Sequence, residues 1–588
     1  GRFRRQRTVA ARYAANVKSD RSGKVKIRNG LAMAVRPFGR IWQVLCISMT
    51  LAELSCKSWG KFWEVPSVTI AALGGRSTGE LWSNTLIGNS TGSVSRVEVS
   101  VAGGSWAAAS GTSPWRYAIP FSTKLKTGKK YIFSARAVDS DGAVIATQTG
   151  DLLRRENHDI NGEGYADFVV AAPAKSASTG FVYIYYGAAT PQYGASATNA
   201  PAIITGGGTQ RSFGGALALG DVNGDGYADL VVGGEQYPTN GYSGAMWIFL
   251  GSSNGIPSQA ANVSAPYVGL ASGDYFGGAI AMGDLNGDGY QDVVVGARER
   301  PGPTGEIYAY LGSAAGLALT ASTTKTGSGS ERLGSSLAII DLNNDGLADI
   351  IVGAPTASPT SLTYVFSGIA SGFNTGAAAT ITGEGADRFG DNLTTGDFNN
   401  DGFVDIAVQA RDHNAGIPTQ GKVYFFPGSA TGYSNFTANS AIHLNFSGEL
   451  NSSTLGRSIR ITDANGDGYS DLLFSSYQPA SIPGKIYFLP GSTSGFSSAN
   501  AATITQQISG ITNGDGFGVS MSVKDINGDG YPDIVAGAYN RNAGAGAAQG
   551  TASVILGSSA GFSSQSSAAA VFTLNGEAGG DNFGLVVY

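Results

Sequence analysis

The chain has 588 residues, of which 87 are glycine and 14% are charged, and its formal net charge is −5. This length exceeds what one ordinary hydrophobic core serves, so we expect at least two domains. The glycines stand in turns between short apolar runs, which is typical of many short strands. The main body has no basic patch that would indicate a nucleic acid partner.

Residues 1–64 are basic, with fourteen Lys or Arg and three Asp or Glu. Within them, a short basic stretch precedes the apolar run Ile41–Ala52, which is the pattern of a secretory signal. We therefore predict a signal over 33–56, with Met33 as the true start and 1–32 as an over-extended reading frame. A buried helix or a disordered basic arm is the alternative. Because the apolar run is short for a membrane helix, we expect no membrane span in the mature chain.

Both cysteines of the chain, Cys46 and Cys56, lie in this basic segment. Beyond residue 56 the sequence therefore offers no disulfide, no cysteine-based zinc site and no thiolate nucleophile. Leu54-Ser55-Cys56 resembles a lipobox, although Glu53 stands where that motif has an aliphatic residue. A lipid anchor at Cys56 is a second interpretation of the segment.

Residues 65–152 differ in character from the basic segment. Apolar and polar positions alternate in three runs, Val97–Trp106, Trp115–Pro120 and Tyr131–Asp139. Several strands in so short a segment predict a small antiparallel β-sandwich. This segment resembles the bacterial immunoglobulin-like domains. We interpret the tryptophans of the first two runs as sheet-covering aromatics; a sugar-binding platform is the alternative.

Residues 153–588 contain one nine-residue pattern, Asp-x-Asn-x-Asp-Gly-x-x-Asp, seven times. The copies are 56 to 66 residues apart and begin at Asp159, Asp221, Asp284, Asp341, Asp397, Asp463 and Asp525. Side-chain oxygens at positions 1, 3, 5 and 9, with the carbonyl of position 7, form a set of hard ligands that suits Ca²⁺ better than Mg²⁺. An Asx-rich turn without a metal is the alternative. The chain departs from the pattern at Glu163, in position 5, and at Asn344 and Asn400, in position 4.

We thus predict up to seven Ca²⁺ ions, which fasten the fold rather than form its functional face. The predicted ligands are Asp159, Asn161, Glu163, Tyr165 and Asp167; Asp221, Asn223, Asp225, Tyr227 and Asp229; Asp284, Asn286, Asp288, Tyr290 and Asp292; Asp341, Asn343, Asp345, Leu347 and Asp349; Asp397, Asn399, Asp401, Phe403 and Asp405; Asp463, Asn465, Asp467, Tyr469 and Asp471; and Asp525, Asn527, Asp529, Tyr531 and Asp533.

Each copy sits among four strand signals. A Phe-Gly or Leu-Gly run precedes the loop, a run ending near Gly-Ala-Pro follows it, and an aromatic run and a run ending in Ile-Thr-Gly complete the unit. Four strands in each unit of about 60 residues predict a propeller blade. The last run, Phe583–Tyr588, has no ion loop, and the first unit has no Phe-Gly run. We therefore predict an all-β, seven-bladed propeller in which this run completes the first blade.

The Phe-Gly runs, the ion loops and the Gly-Ala-Pro ends together resemble FG-GAP repeats, as in the head of integrin α subunits and in many bacterial surface proteins. The resemblance implies a secreted, cell-surface or outer-envelope protein whose partners bind the rim opposite the ion loops. The candidate ligand face on that rim comprises Tyr237, Arg298, Arg300, Arg411, His413, Tyr477, Tyr539 and Arg541.

The function expected from this resemblance is a non-catalytic module for adhesion or protein interaction, with a protein or a surface polysaccharide as partner. A lectin-like propeller and a structural subunit of a surface filament or envelope complex are the alternatives. Common catalytic motifs such as Gly-x-Ser-x-Gly and His-Glu-x-x-His are absent, and the three histidines, His158, His413 and His443, are far apart in sequence. His413 beside Asp412 is the one acid–histidine pair worth naming, and we interpret it as an ordinary loop pair.

Overall fold

The computed structural model describes residues 158–588 with short gaps, and shorter segments between 67 and 154. The earlier segments are 67–68, 71–72, 80–81, 85–88, 90–101, 103–109, 112, 115–118 and 130–154. The gaps after 158 are 207–211, 239–240, 261–266, 301, 344, 400, 402, 415–419, 430–431, 439–443, 449–453, 468, 477–481, 493–495, 497–498 and 545–547.

Some predictions fall outside the described residues. They are the basic segment with its signal, the lipid anchor at Cys56, and the roles of Asn344, Asn400, His443 and Tyr477. Contacts divide the chain into Gly1–Glu64 and Val65–Tyr588, and every described residue belongs to the second unit. None of the helices that the structure describes is long and apolar enough to span a membrane.

Ten strands are described before residue 158. They are β1 (Ser67–Val68), β2 (Ala71–Ala72), β3 (Glu80–Leu81), β4 (Thr85–Gly88), β5 (Ser90–Thr91), β6 (Arg96–Val101), β7 (Ala107–Ala108), β8 (Trp115–Ala118), β9 (Lys130–Val138) and β10 (Val144–Arg154). They form sheets of order β3-β10-β9-β6-β7, β2-β4-β8 and β1-β5. Val97, Val99, Phe133 and Ala135 alternate inward from β6 and β9 to form the core of this part.

All three alternating runs of this segment are strands in the structure, whereas its immunoglobulin-like identity stays a prediction. Trp106 keeps 37% of its surface exposed, and the Arg136 guanidinium lies 4.2 Å from the centre of its ring. The tryptophan is therefore an exposed side chain covered on one side by an arginine.

The remaining strands run from Phe168 to the end of the chain. They are β11 (Phe168–Ala172), β12 (Phe181–Tyr185), β13 (Ala202–Thr205), β14 (Ala216–Gly220), β15 (Asp229–Gly234), β16 (Ala245–Phe249), β17 (Gln259–Ala260), β18 (Tyr267–Val268), β19 (Phe276–Gly283), β20 (Asp292–Ala297), β21 (Glu306–Tyr310), β22 (Thr323–Thr326), β23 (Leu337–Ile340), β24 (Asp349–Ala354), β25 (Leu362–Phe366), β26 (Gly368–Ile369), β27 (Gly372–Phe373), β28 (Ala379–Thr382), β29 (Phe389–Gly396), β30 (Asp405–Ala410), β31 (Lys422–Phe426), β32 (Phe436–Thr437), β33 (Leu444–Ser447), β34 (Leu455–Thr462), β35 (Asp471–Ser476), β36 (Lys485–Leu489), β37 (Ala499–Asn500), β38 (Gln507–Ser509), β39 (Phe517–Lys524), β40 (Asp533–Ala538), β41 (Thr551–Ile555), β42 (Gln565–Ser566), β43 (Phe572–Asn575) and β44 (Val586–Val587). One short helix, α1 (Lys175–Ser178), and 3-10 turns at Ala197–Asn199, Gly302–Thr304, Ala501–Thr503 and Ser567–Ala569 lie between them.

These strands form seven sheets of four or five strands, which we number in chain order. Their strand orders are β17-β13-β12-β11-β44, β14-β15-β16-β18, β19-β20-β21-β22, β23-β24-β25-β28-β32, β29-β30-β31-β33-β37, β34-β35-β36-β38-β42 and β39-β40-β41-β43. The four main strands of a sheet pair antiparallel, and β26 pairs only with β27. In four sheets the following repeat adds a short parallel strand at the outer edge.

The inner strands of the seven sheets follow one another in a closed ring. They are β14, β19, β23, β29, β34, β39 and β44, and β44 contacts both β39 and β14. The Gly584 N–H donates to the Ala171 carbonyl at 3.0 Å, which reproduces the bond from Gly214 to Gly233 in the second sheet. The last strand thus completes the first sheet. The all-β prediction is confirmed, and the count of one blade for each sheet stays a prediction.

The second strand of each sheet is buried along its whole length because both faces of the sheet are covered. In β15, Leu230 and Val232 join the core on one side, whereas Val231 joins the core on the other. Every residue of β15 is buried. This double burial explains why these runs lack the polar alternation of a half-exposed strand.

The glycines of Phe-Gly and Gly-Ala-Pro meet between neighbouring sheets. A Cβ on Gly353 of the fourth sheet would lie 1.9 Å from the carbonyl oxygen of Gly390 of the fifth, a distance that real Cβ atoms do not reach. Gly390 itself has φ +91°, where a side chain adds strain. The motif is therefore a backbone-to-backbone contact. It recurs at Gly233 with Gly277, Gly296 with Gly334 and Gly537 with Gly584.

We expect Gly353→Ala to destabilise the protein by about 1–3 kcal/mol, because overpacking forces the two sheets apart. Gly385→Ala is the matched control, since a Cβ there meets no atom within 4 Å. Urea denaturation followed by tryptophan fluorescence measures both. Equal midpoints for the two variants would contradict the glycine contact.

Candidate metal centres

In six of the seven sheets the nine-residue loop joins the inner strand to the second strand, and in the first sheet, whose inner strand is β44, the loop precedes the second strand. Each loop folds around its first aspartate. In the third sheet, Asp284 Oδ1 accepts hydrogen bonds from the N–H groups of Gly287 (2.7 Å) and Asp288 (3.1 Å). Its Oδ2 accepts from the Gly289 N–H at 2.8 Å. Position 1 therefore organises the backbone of the whole loop. The same Oδ2 bond to position 6 forms at Asp159, Asp221, Asp341 and Asp525.

Positions 3 and 5 point to the outer side of the loop. Asn286 Oδ1 accepts from the Asp288 N–H at 3.0 Å, and Asp288 Oδ1 accepts from the Tyr290 N–H at 2.9 Å. The Asn286 amide also donates to Asp288 Oδ2 at 3.0 Å. The equivalent side chains of the second, fifth, sixth and seventh sheets make the same amide–carboxylate contact. Asp288 is exposed and Asn286 is half-buried, so both positions lie nearer the solvent than the buried position 9.

The aspartate at position 9 is wholly buried and ties three parts of the sheet together. Asp292 is 0% exposed; its Oδ2 accepts from the Leu285 N–H in the loop at 2.8 Å. Its Oδ1 accepts from the Gly312 N–H, after the third strand, at 2.8 Å. All seven sheets repeat this pair of bonds. The sequence predicts position 9 only as a metal ligand, and the structure adds this clamp.

Burial raises the pKa of these clamping carboxyls. The pKa of Asp292 rises to about 8 and that of Asp229 to about 7, because the carboxylates are desolvated and face other acids of the same loop, although backbone N–H donors act against the rise. Burial also raises the pKa of Asp284 to about 6, with the nearby Asp288 charge in support. A bound cation would favour the ionised carboxylates and would reverse this tendency.

The donor set of each loop fits Ca²⁺ by its chemistry. It offers carboxylate, amide and carbonyl oxygens and no nitrogen or sulfur donor. Among the residues that the structure describes, no three Asp, Glu, His or Cys side chains converge as a cation cluster by themselves. Amide and carbonyl oxygens must therefore complete any coordination shell. The calcium sites stay a prediction.

Neighbouring loops also contact each other through aromatic rings. A Cβ on Gly162, at position 4 of the first loop, would lie 2.6 Å from the Tyr227 ring at position 7 of the second. Tyr165 lies in the same way over Gly528 of the seventh loop. The loops of the first, second and seventh sheets are thus linked across the ring closure. The sequence signal for this contact is a glycine at position 4 of one loop and an aromatic residue at position 7 of the loop that follows it around the ring.

The predicted ligand face lies at the other end of the sheets, and most of its described cations are paired. Arg298 pairs with Glu235 of the preceding sheet. Arg300 contacts Asp274 at 3.1 Å and Glu306 at 3.0 Å. Arg411 contacts Asp391 at 2.9 Å and Asp412 at 3.4 Å. Tyr237 packs edge-on against Trp247, with ring centres 5.5 Å apart. The rim is therefore an ordered network of charges and rings.

His413 has a different acidic partner from the one its sequence neighbour suggests. Its Nδ1 lies 3.5 Å from Asp387 Oδ2 and 3.9 Å from a Glu384 oxygen. Asp412 pairs instead with Arg388 and Arg411. The histidine is buried, at 8% exposure. The sequence pair His413–Asp412 is thus not a pair in space, because adjacent residues in a turn point in different directions.

Sequence reasoning missed a buried acid two residues before most Phe-Gly or Leu-Gly runs. Asp515 Oδ1 accepts the Phe517 N–H at 3.0 Å and its Oδ2 accepts the Ile511 N–H at 2.8 Å. The equivalent acids are Asp274, Glu331, Asp387 and Asp581. Burial lowers the pKa of Arg541, and the charge of Asp515 acts against this shift. The sequence pattern that predicts these hydrogen bonds is an acid two residues before Phe-Gly.

We expect EDTA to lower the melting temperature and added Ca²⁺ to restore it, because an ion held only by the folded loops stabilises the folded state. The gain is about 2.7 kcal/mol for each site whose free Ca²⁺ is 100 times its dissociation constant. Differential scanning calorimetry measures the shift, with Mg²⁺ as the comparison cation. An unchanged melt in EDTA would argue against structural calcium.

The double role of position 9 predicts a difference between two acids of one loop. Asp292→Asn should destabilise even the EDTA-treated protein by about 1–3 kcal/mol, since an amide leaves a buried N–H without its acceptor. Asp288→Asn, its exposed control, should matter only when Ca²⁺ is present. Denaturant titration in both buffers separates them. If both variants lose stability only with Ca²⁺ present, position 9 is a ligand without a clamping role.

Family models match the repeat region. The FG-GAP-like repeat model matches residues 159–232, 221–295, 284–352 and 341–408, and the FG-GAP repeat model matches 517–555. These matches cover consecutive ion loops and the strands on either side of them. They confirm the resemblance on which the propeller prediction rests.

Curated relatives include integrin α subunits. The chain is 32% identical to integrin alpha-PS5 of Drosophila melanogaster over 194 residues, 30% of this chain and 18% of that protein. It is 27% identical to integrin alpha-4 of Xenopus laevis over 252 residues, 40% of this chain and 22% of that protein. It is also 34% identical to phosphatidylinositol-glycan-specific phospholipase D of Bos taurus over 158 residues, 25% of this chain and 19% of that protein.

The chain therefore spans about a fifth of the length of the curated relatives it matches. Among solved structures, a rhamnogalacturonan lyase of Bacillus licheniformis aligns at 12% identity with 85% of this chain and 74% of its own chain. The TM-score of this alignment is 0.31, which is too low to indicate a shared fold. The chain therefore contains FG-GAP repeats, which together with its all-β architecture indicate a β-propeller.

Proposed function

We propose that the chain is a non-catalytic interaction module that works at the cell surface or outside the cell, with calcium in its loops. Its FG-GAP repeats, as in integrin α subunits, support a role in protein interaction. The exposed oxygens of the loops support the calcium component, since millimolar extracellular Ca²⁺ would fill sites of even modest affinity. The match to a phospholipase D covers 19% of that protein and does not argue for catalysis here.

A cavity on the rim opposite the loops carries the proposal that a partner protein binds there. It has a volume of about 460 Å³, and its lining residues come from the segments before β19 and after β20. Its lining residues are Ala271, Ser272, Gly273, Asp274, Tyr275, Glu299, Arg300 and Gly302. This cavity combines an aromatic ring with charges of both signs, which is the composition of a protein-binding hot spot.

The polar side chains of this cavity are held in place before any partner arrives. Asp274 and Glu306 fix Arg300, and Arg332 contacts Glu299 at 2.7 Å. The Tyr275 ring stacks on the Tyr242 ring with centres 6.0 Å apart. The Arg298 guanidinium lies 5.1 Å from the centre of the Tyr275 ring. Ordered side chains lose little conformational entropy on binding, so they suit a specific partner.

Two further features favour a composite protein site over a repeated sugar site. The corresponding positions of other sheets carry different residues: Arg332, Arg388 and Asn582 stand where the third sheet has Tyr275. The ion pairs also join different sheets in different ways, as in Arg298 with Glu235. A lectin with equivalent pockets would repeat its aromatic residue. Polysaccharide binding, or a structural place in a filament or envelope complex, remain the competing functions to test.

The test uses the purified chain with Ca²⁺ as bait for a surface-protein extract, with captured proteins identified by mass spectrometry. We expect Tyr275→Asn and Glu299→Gln to reduce capture of a specific protein at least about tenfold, the typical loss at a binding hot spot. Asparagine is chosen because Tyr275 has φ +55° and Asn582 holds the equivalent position at φ +54°. Lys325→Asn, on the outer strand β22, is the control and should leave capture unchanged.

A glycan array run with the same variants separates the competing functions. Array binding that Tyr275→Asn abolishes, without protein capture, would replace the protein partner by a polysaccharide. Protein capture that neither rim variant changes would contradict the assignment of this rim.

A further inference from the structure

Neighbouring ion loops are joined by backbone hydrogen bonds. The N–H of Ala228, at position 8 of the second loop, donates to the carbonyl oxygen of Asp159, at position 1 of the first loop, at 2.9 Å. The same bond joins the third loop to the second at 3.0 Å and the fourth to the third at 2.9 Å. Position 8 stands between two predicted ligands of its own loop, the carbonyl of position 7 and the carboxylate of position 9. The backbone of one loop therefore holds the first ligand residue of the loop before it.

A second set of bonds connects the clamping aspartates of neighbouring sheets. Ile160, at position 2 of the first loop, donates its N–H to the clamp of its own sheet, Asp167, at 2.7 Å. The Ile160 carbonyl oxygen accepts the N–H of Ser252, in the turn after the third strand of the second sheet, at 3.2 Å. The adjacent Gly251 N–H of that turn donates to the clamp of the second sheet, Asp229, at 2.9 Å. Position 2 thus links one clamp to the next.

The same linkage recurs on both sides of this pair of sheets. Between the second and third sheets, the Val222 carbonyl oxygen accepts the Ser313 N–H at 3.1 Å. Between the seventh and first sheets, the Ile526 carbonyl oxygen accepts the Ala188 N–H at 3.0 Å. Val222 and Ile526 also donate their N–H groups to the clamps of their own sheets, at 2.9 and 3.1 Å. The connected loops therefore extend from the seventh sheet through the first to the third.

An aromatic ring adds a side-chain contact between the loops. The Tyr227 ring, at position 7 of the second loop, fills the space beside Gly162 of the first, where an added Cβ would lie 2.6 Å from it. Tyr531 of the seventh loop lies beside Gly466 of the sixth in the same way, at 2.8 Å. The Gly162 N–H donates to Asp159 Oδ1 at 2.7 Å. The ring of one loop thus packs on the turn that the first aspartate of the preceding loop organises.

We propose, on the basis of the calcium component of the proposed function, that neighbouring loops bind Ca²⁺ cooperatively, with the position-7 ring and the position-8 N–H of each loop as positioning groups for the loop before it. Without a cation the carboxylates of a loop repel one another, so cation binding and loop order go together. An ordered loop presents its ring and N–H in a fixed place, so the preceding loop loses less conformational entropy when it binds. Because coupling is reciprocal, each loop assists both of its neighbours.

Hydrogen exchange with mass spectrometry resolves the first loop from the others. Its N–H groups at positions 4, 5 and 6 donate to the Asp159 carboxylate, so their exchange reports the order of this loop. Peptides that contain residues 159–167 give the Ca²⁺ concentration at half-maximal protection, which we call the first-loop midpoint. Asp225→Asn removes a predicted ligand of the second loop and keeps the groups that contact the first. We expect it to raise the first-loop midpoint at least about fivefold, the lower end of typical coupling between sites.

Asp401→Asn is the matched control, because it makes the same substitution at position 5 of the fifth loop, which does not neighbour the first. It should leave the first-loop midpoint unchanged. In the Asp225→Asn protein, the midpoint of the fifth loop should also stay that of the unchanged chain, which shows that the variant folds.

Tyr227→Ala tests the ring by itself, since the predicted ligand at position 7 is the backbone carbonyl, which every substitution keeps. The first-loop midpoint should rise to a value between those of the unchanged chain and Asp225→Asn. Tyr531→Ala should instead raise the midpoint of the sixth loop, on which its ring packs, more than that of the first.

The possible failures are distinguishable. An unchanged chain without Ca²⁺-dependent protection would overturn the calcium component of the proposed function together with the coupling. Ca²⁺-dependent protection with equal first-loop midpoints in the unchanged chain and in Asp225→Asn would overturn the coupling alone, because the loops would then bind independently. An equal rise of the first-loop midpoint in Asp401→Asn would also overturn it, since the effect would then follow overall stability and not contact between neighbours.

Discussion

One buried carboxylate in each sheet holds the repeat architecture together. The aspartate at position 9 accepts one N–H from the ion loop and one from the turn after the third strand, as Asp292 does with Leu285 and Gly312. It thereby joins the inner, second and third strands at one end. Because the carboxylate is desolvated, each lost bond leaves a buried donor without an acceptor. A cation in the loop would add to this clamp and would not replace it.

This clamp makes the two ends of the sheets different in kind. At the loop end, the same position-9 bonds recur in every sheet, and position-7 rings such as Tyr227 pack over the preceding loop. At the opposite rim, the buried acid before Phe-Gly recurs, but its surroundings vary: Asp274 meets Arg300, whereas Asp387 meets His413. Repetition favours stability and variation favours recognition of a particular partner. The proposed interaction surface lies at the rim, where the repeats differ.

The period of the repeat made the strand order predictable. Phe-Gly, the loop and Gly-Ala-Pro stand at constant offsets, and the structure places one strand before the loop and one after it. The two glycine motifs have a physical cause, because the backbones of Gly353 and Gly390 are in contact between neighbouring sheets. Pairings between distant residues were beyond such reasoning. Arg298 with Glu235 joins different sheets, and His413 contacts Asp387, not its neighbour Asp412. Sequence reasoning also did not predict the short parallel strands that the next repeat adds at the outer edge of four sheets.

The all-β class, the seven repeated loops and their oxygen-rich chemistry follow from the amino-acid order alone, because backbone turns, glycine positions and Asx side chains act within a few residues. The partner of each charged side chain depends on how the sheets pack. Lys524 reads as an ordinary strand lysine until ring closure brings the Tyr588 ring of the first sheet to within 4.5 Å of its Nζ. Contacts between sheets depend on the angle and depth at which whole sheets pack, and no local pattern encodes those quantities.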